Sequence, residues 1–147
     1  MVSIRIEHRI DCLDERAYRK QWYAAFLSAV CSVIPKPYPF ELTVVLVDDR
    51  TIRSINREHR GMDKITDVLS FYYPPESSRE KGEGELIISL PQALRQSKRY
   101  KTSFVKEMAR LVIHGLLHIE GYDHMKTGER KIMRGYEKSA IDVAQKK

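Results

Sequence analysis

Two periodicities of hydrophobic and polar residues alternate along this chain. Residues 2–6 alternate between apolar and polar side chains, which predicts a strand, whereas apolar residues recur every three or four positions over 14–33, which predicts a helix. Pro35 follows and stops that helix. The segment Phe40–Val47 is rich in β-branched and apolar residues, so we expect a central strand there.

The middle of the chain continues with a helix and a strand. Asp48 or Asp49 is a candidate cap for a helix predicted over 51–59, because a carboxylate there accepts hydrogen bonds from the first free amides. Gly61 is expected to end that helix. Residues 68–73 then predict a third strand.

The last third of the chain predicts one more strand and three helices. A polar loop bounded by Pro and Gly is predicted over 74–84, and a fourth strand over 85–90. Pro91 opens a short helix, a longer helix covers 104–117, and Thr127 caps a final helix that runs to about residue 144. The residues of the final helix expected to face inward are Ile132, Met133, Tyr136 and Ile141.

These elements predict one α+β domain over residues 1–147, with a mixed sheet of about four strands and about five helices. The pattern does not determine the strand order. No apolar run approaches the roughly 20 residues needed to span a membrane. The N-terminus lacks the apolar stretch of a signal peptide, and two cysteines give no disulfide framework, so we expect a cytoplasmic protein.

The charge of the chain favours polyanionic partners. Its formal net charge is +6, and two basic runs contribute much of it. Arginines recur at positions 50, 53, 57 and 60, which places them in one stripe of a helix, and a second run over 95–106 contains no Asp or Glu. Each run is either a solvated helix face or a set of phosphate contacts. The candidate RNA-binding residues are Arg53, Arg57, Lys98 and Arg99.

The densest cluster of candidate chemistry is a trio of histidines within eleven residues, His114, His118 and His124. Residues four apart on a helix share one face, with Cβ atoms roughly 5–6 Å apart, so His114 and His118 can reach one zinc ion. Gly121 can take the left-handed conformation that ends a helix and turns the chain, which would let His124 approach as a third ligand. Three protein ligands leave a fourth position open, as in catalytic zinc sites.

The histidine spacing is shared with a class of zinc peptidases, but the residue after the first histidine differs from theirs. The pattern H-x-x-x-H-x-x-G-x-x-H is that of the metzincins, which carry Glu directly after the first His as the general base. Here that position is Gly115, which has no side chain to accept a proton. A packing role for any single histidine is the common alternative, and a structural zinc lacks a nearby cysteine, since Cys12 and Cys31 are distant in sequence.

The chain resembles the YbeY family of bacterial metal-dependent endoribonucleases. Three sequence blocks carry the resemblance, and Met133 and Glu137 in the last helix add to it. The blocks are His114-Gly-Leu-Leu-His-Ile-Glu-Gly-Tyr-Asp-His124, Asn56-Arg-Glu-His-Arg-Gly-Met-Asp-Lys-Ile-Thr-Asp-Val-Leu-Ser-Phe71 and Gly84-Glu-Leu-Ile-Ile-Ser89. The third block usually reads Gly-Asp-Ile, and Tyr72 stands where Pro is common. The match covers about the C-terminal two thirds of the chain.

The resemblance implies a zincin-like α+β fold with one zinc ion bound by His114, His118 and His124. It implies cleavage of single-stranded RNA in ribosomal RNA maturation, at the 3′ end of 16S RNA, and in ribosome quality control, with the small ribosomal subunit as a partner. The family's functional arginine corresponds to Arg60, so Arg60 and His114 are the candidate catalytic residues. Nickel, copper or iron could occupy the same ligands.

Several roles stay open at this level. Arg60 either binds phosphate through its planar fork or stabilises the end of its own helix. Thr66 and Asp67 are candidates for fixing the loop beside Arg60, and Phe71 either stacks on a base or belongs to the core. A zinc peptidase or deacylase, and an RNA-binding module without catalysis, are the alternative functions. The oligomeric state and the general acid or base are not determined by the sequence.

Overall fold

The computed structural model describes residues 2–8, 27, 29–33, 40–74, 82–121 and 127–145. Four strands form one sheet: β1 (Val2–His8), β2 (Phe40–Val47), β3 (Val68–Tyr73) and β4 (Gly82–Ser89). Their order is β1-β2-β4-β3, with β1, β2 and β4 parallel and β3 antiparallel to β4. The α+β class is therefore confirmed, and β2 lies inside the sheet as expected.

Four helices lie wholly within the described residues: α1 (Asp49–Arg60), α2 (Leu90–Arg99), α3 (Phe104–Ile119) and α4 (Thr127–Gln145). Of the helix predicted over 14–33, residues 27 and 29–31 are helical and most others lie outside the described residues. No described helix is long and apolar enough to cross a membrane.

The sheet is covered on both faces, and strand alternation assigns each residue to a face. Phe40, Leu42, Val44 and Leu46 join Leu86 and Ile88 in the larger core, which includes the buried face of α3. Val45 and Val47 point the other way, into a smaller core with Ile52 of α1, Leu69 and Ile87. A strand buried on both faces reads as a nearly continuous apolar run, which is why β2 was recognisable in the sequence.

Three helices begin with capping side chains. Asp48 accepts a hydrogen bond from the Thr51 amide at 2.9 Å, and Ser89 and Ser103 accept from the amides of Gln92 and Lys106. The helix predicted over 51–59 therefore begins two residues earlier, at Asp49, and Gly61 ends it in the left-handed conformation at φ 70°.

Both ends of strand β4 differ from the sequence prediction. Strand β4 begins at Gly82 and ends at Ser89, whereas 85–90 was predicted, because Ser89 caps α2 and Leu90 is its first residue. Residues 82–84, predicted as loop, pair with β2 instead. Residues 75–81 of that predicted loop lie outside the described part of the chain.

The inward face of α4 differs at one position. Met133 is buried, and Tyr136 and Ile141 pack partly buried against the core, as predicted, but Ile132 is 47% exposed. Each helical residue rotates by about 100° from the last, so Ile132 lies beside the stripe that Met133, Tyr136 and Ala140 form. The expectation that Ile132 faces inward was wrong for this reason.

Candidate active site

Helix α3 carries a polar stripe on an otherwise buried helix. Arg110, His114 and His118 follow one another at intervals of four residues, so they lie on one face. The opposite face is fully buried in the core through Met108, Ala109, Val112, Ile113, Leu116 and Leu117. Packing of that apolar face fixes the rotation of α3 and therefore directs the polar stripe away from the core.

The two histidines of this stripe converge on each other. Their Nε2 atoms are 3.0 Å apart, and their rings meet edge to face with centroids 4.5 Å apart. Two imidazoles bound to one tetrahedral zinc, at about 2.0–2.1 Å each, would place their nitrogens roughly 3.3 Å apart. The donor atoms and their spacing therefore fit two ligands of a single ion.

The other ring nitrogen of His114 faces a carboxylate. Glu137 of α4 places its Oε1 atom 3.5 Å from His114 Nδ1. In metal sites such a carboxylate orients the imidazole and favours the tautomer whose Nε2 lone pair is free to bind the metal. The Glu137 match noted in the sequence thus has a structural counterpart.

The third predicted ligand cannot be placed, because His124 lies outside the described residues. Among the described residues, no third His, Cys, Asp or Glu joins His114 and His118 in a set that could hold a metal. Gly121, which is described, has φ 93°, so the left-handed turn expected after His118 is present.

Gly115 has a packing role that the sequence did not reveal. A Cβ atom at this position would lie 2.6 Å from Leu86 Cδ2 and 3.5 Å from Val68 Cγ2. The absence of a side chain therefore lets α3 approach the sheet closely at the point where the two histidines are held. A glutamate at this position, as the metzincin pattern requires, would meet the buried side chain of Leu86 first.

A polar cleft of about 560 Å³ opens beside this stripe. Helix α3 contributes Arg110, His114, Gly115 and His118; the end of α1, the following loop and β3 contribute Arg60, Thr66, Asp67, Val68, Leu69, Ser70 and Phe71. The structure thus brings the two candidate catalytic residues, Arg60 and His114, into one cleft although they are 54 positions apart in sequence.

Arg60 enters the cleft at the end of α1. It is the last helical residue before Gly61, and its side chain makes no hydrogen bond or ion pair with any described residue. The loop that follows is held back against α1, because Asn56 Nδ2 donates to the Lys64 carbonyl at 3.0 Å and Arg53 binds Asp63. These contacts leave the Arg60 guanidinium available at the cleft.

A charged network beside the histidines was missed by the sequence analysis. Arg110 donates from Nε and Nη2 to the two carboxylate oxygens of Glu107, each at 2.8 Å, and Glu107 is only 1% exposed. Gln96 of α2 donates to Glu107 at 2.7 Å and to Asp67 at 3.2 Å. The hydrogen bonds that Arg110 donates to Glu107 raise the pKa of Arg110 above its ordinary value.

The spacing could have pointed to this network. Glu107 and Arg110 are three residues apart, and Arg110 precedes His114 by four, so the helical face was readable. The hydrogen bonds from Gln96 to Glu107 and Asp67 were not readable from the sequence, because they join three elements that are separate along the chain. Asp67 also accepts from the Val68 amide at 2.7 Å, which supports the predicted role of Asp67 in fixing this loop.

The predicted RNA-binding residues lie outside the cleft lining. Arg53 and Arg57 are exposed on α1, where Arg53 Nε binds Asp63 at 2.9 Å and Arg57 Nη1 lies 4.0 Å from the same carboxylate. The Arg53 hydrogen bond holds the pKa of Asp63 below its usual range. Lys98 and Arg99 are exposed at the end of α2, with Arg99 5.9 Å from the Tyr100 ring. Their role in RNA binding stays a prediction.

Phe71 lies both in the cleft and against the smaller core. Its ring packs edge to face on His59 at 5.4 Å between centroids, and it is partly buried beside the core residues around Ile52. Of the two roles considered for Phe71, this packing is consistent with the core role, while Phe71 and Ser70 both line the cleft.

Comparison with known proteins adds independent information. The family model described as "Endoribonuclease YbeY" matches residues 5–145. Endoribonuclease YbeY of Desulforamulus reducens is 45% identical over 108 residues, covering 69% of this chain and 71% of the relative. Endoribonuclease YbeY of Bacillus cereus is 36% identical over 155 residues, covering 91% and 94%.

A solved structure supports the fold. The solution structure of a Thermotoga maritima protein superimposes with a TM-score of 0.61, covering 98% of this chain and 89% of that one. The two sequences are 24% identical, so this likeness concerns the fold alone.

Proposed function

This chain belongs to the endoribonuclease YbeY family, and we propose that it cuts single-stranded RNA with a zinc ion held by His114, His118 and His124. Family membership places it among the hydrolases that act on RNA. The zinc requirement is supported chiefly by one observation, the convergence of two Nε2 atoms to 3.0 Å in a cleft that Arg60 also lines.

The residues of the cleft would have separate roles in phosphodiester cleavage. His114, His118 and His124 would hold a zinc ion there, and the bound ion would supply Lewis-acid chemistry toward a phosphoryl oxygen and water. Glu137 orients His114 through Nδ1. Arg60 offers a planar fork of donors that can bind two oxygens of one phosphate and stabilise negative charge as it develops there.

We propose ribosomal RNA as the substrate, including the 3′ end of 16S RNA, with a role in ribosome quality control on the small subunit. The support is the family resemblance together with the net charge of +6, since a basic protein is attracted to the phosphate backbone. The cytoplasm is the compartment that this substrate requires.

The first test compares wild type, His114→Ala and Lys138→Ala, the last an exposed residue of α4 outside the cleft lining. Each would be analysed for bound metal and for cleavage of a single-stranded fragment of 16S RNA. We expect about one zinc per chain and cleavage in wild type and Lys138→Ala. His114→Ala should lose the metal and at least roughly a thousandfold in rate, with its circular dichroism unchanged.

Two other outcomes would replace this proposal. If His114→Ala preparations cut RNA as well as wild type, the cleavage comes from a contaminant or from another site, and metal-dependent cleavage at this cleft is wrong. RNA binding that stays intact in His114→Ala would then favour a module without catalysis. If the metal-loaded protein cuts peptides or removes acyl groups but leaves RNA intact, a zinc peptidase or deacylase is the better assignment.

A further inference from the structure

Arg110 is the second arginine of the cleft, and no motif assigned it a role. It lies one turn before His114 on the same face of α3, and its side chain is 34% exposed. It lines the cleft together with Arg60 and the two histidines. An arginine in this position is accessible to whatever occupies the cleft.

The guanidinium of Arg110 is held on one edge and open on the other. Its Nε and Nη2 atoms bind both oxygens of Glu107, whose carboxylate is buried and held in place by Gln96. A guanidinium has five N–H donors, and this pairing uses two of them. Nη1 makes no hydrogen bond with any described residue. Because Glu107 fixes the plane of the group, little side-chain freedom would be lost on binding a second anion.

Asp67 is the competing anion for this arginine, and its geometry is unfavourable. Its Oδ2 atom is 4.0 Å from Arg110 Nη2, beyond hydrogen-bonding distance. Its two oxygens accept instead from the Val68 amide and from Gln96. Asp67 therefore adds a weak attraction without occupying the open edge of Arg110.

We propose that Arg110 binds a phosphate of the RNA backbone next to the phosphate that is cut, an inference that rests on the proposed function. The long side chain of a helical residue leans toward the helix N-terminus, and the pairing with Glu107 three residues earlier agrees with this direction. The guanidinium thus lies away from His118, on the far side of His114. Along the helix axis, Arg110 is six residues, roughly 9 Å, before the level midway between the two imidazoles. That separation suits a neighbouring phosphate better than the reacting one.

The assignment predicts a specific kinetic pattern for Arg110→Gln. KM for a single-stranded oligoribonucleotide should rise roughly tenfold, because a charge-assisted hydrogen bond to phosphate is lost, while kcat changes by less than about threefold. Arg110→Lys keeps the charge but not the planar fork, so it should recover part of the affinity. Arg134→Gln, an exposed arginine of α4 that is not among the cleft residues, is the matched control and should behave as wild type.

Binding to metal-free protein gives a readout that does not depend on catalysis. The slope of log Kd against log salt should decrease in magnitude by about 0.7 for Arg110→Gln, the value for one phosphate contact on a single strand. A substrate with one neutral methylphosphonate beside the cut site locates that contact. Wild type should lose about as much affinity on this substrate as Arg110→Gln loses on the natural one, and the variant should lose nothing further.

The outcomes separate this inference from the proposed function. If wild type does not cut RNA, the proposed function fails whatever Arg110 does. If wild type cuts RNA but Arg110→Gln keeps its KM and salt slope and only melts at a lower temperature, the role of Arg110 is structural, as the partner of the buried Glu107 carboxylate. A loss confined to kcat would also overturn the inference, because it would place Arg110 on the reacting phosphate.

Discussion

The outer face of α1 and the cleft beside α3 are both rich in arginine, but they hold it differently. On α1, Arg53 binds Asp63 in a pair whose side chains are 54% and 52% exposed. In the cleft, Arg110 binds Glu107, a carboxylate that is only 1% exposed. A solvent-exposed ion pair gains little free energy and its side chains rearrange easily, whereas a buried carboxylate holds its partner in one orientation.

This difference shows why the count of charges along a helix was a poor guide to the site. Three arginines of the α1 stripe, Arg50, Arg53 and Arg57, surround a shallow surface depression away from the histidines. Only Arg60, at the end of the stripe, reaches the cleft. A position in the cleft beside the candidate metal ligands, rather than charge density, distinguishes the arginines expected to act on a phosphate.

The largest expected effect comes from comparing an arginine of the cleft with an arginine of the outer face, both on α1. Arg60→Gln should lower kcat by about a hundred- to a thousandfold, as the loss of a donor to developing charge does elsewhere. Arg53→Gln should weaken RNA binding by no more than about threefold, since it removes one exposed phosphate contact. Steady-state kinetics on one oligoribonucleotide measures both. Equal effects of the two substitutions would show that Arg60 in the cleft contributes no more to cleavage than an exposed arginine of α1 does.

A smaller effect concerns the stability of the two arginine pairs. Glu107→Gln should lower the free energy of unfolding by about 1–3 kcal/mol, because it weakens a hydrogen-bonded carboxylate in the interior. Asp63→Asn, the matched change at the exposed pair, should leave the urea midpoint unchanged within error. Urea unfolding followed by circular dichroism tests this, and a larger loss in Asp63→Asn would reverse the comparison.

The smallest effect concerns the start of α1. Asp48→Ala should cost about 1 kcal/mol of stability, while Asp48→Asn should cost little, because asparagine caps a helix about equally well. The hydrogen bond from Thr51 lowers the pKa of Asp48. The charge-dependent stability is therefore present above the unfolded pKa of about 3.9 and is lost as the pH falls through the folded value.

The measurement for Asp48 is thermal melting of the three proteins at neutral pH and again at acid pH. The difference between wild type and Asp48→Asn should shrink toward zero as the pH is lowered. A gap that widens on acidification would contradict the sign of the Asp48 pKa shift.

Much of the fold could be predicted because the relevant information is local. Strands β2 and β3 have the predicted bounds, and Gly61 ends α1 where the left-handed turn was expected. Boundaries were missed where one residue serves two elements, as Ser89 does when it ends β4 and caps α2. Ile132 was misassigned because an apolar residue one position off a helical stripe is indistinguishable by type from one within it.

The candidate site likewise has a part that the sequence predicted and a part that only the structure shows. His114 and His118 could be paired from the sequence, because a spacing of four on a helix determines that their side chains share a face. His124 stays a prediction, and the metal with it. The tie of Glu107 and Arg110 to Gln96, and the contact of Glu137 with His114, required knowing which helices lie side by side.

The sequence alone therefore determined the α+β class, the bounds of β2 and β3, the histidine pair and the family resemblance, since these depend on residue types at short fixed spacings. Only the tertiary structure decided the strand order, the presence of Arg60 and Arg110 in one cleft, and the reason for Gly115. Those features arise where segments distant in sequence come into contact. At Gly115 the buried Leu86 side chain comes to 2.6 Å from where a Cβ would lie, so glycine lets α3 pack on the sheet without displacing that side chain.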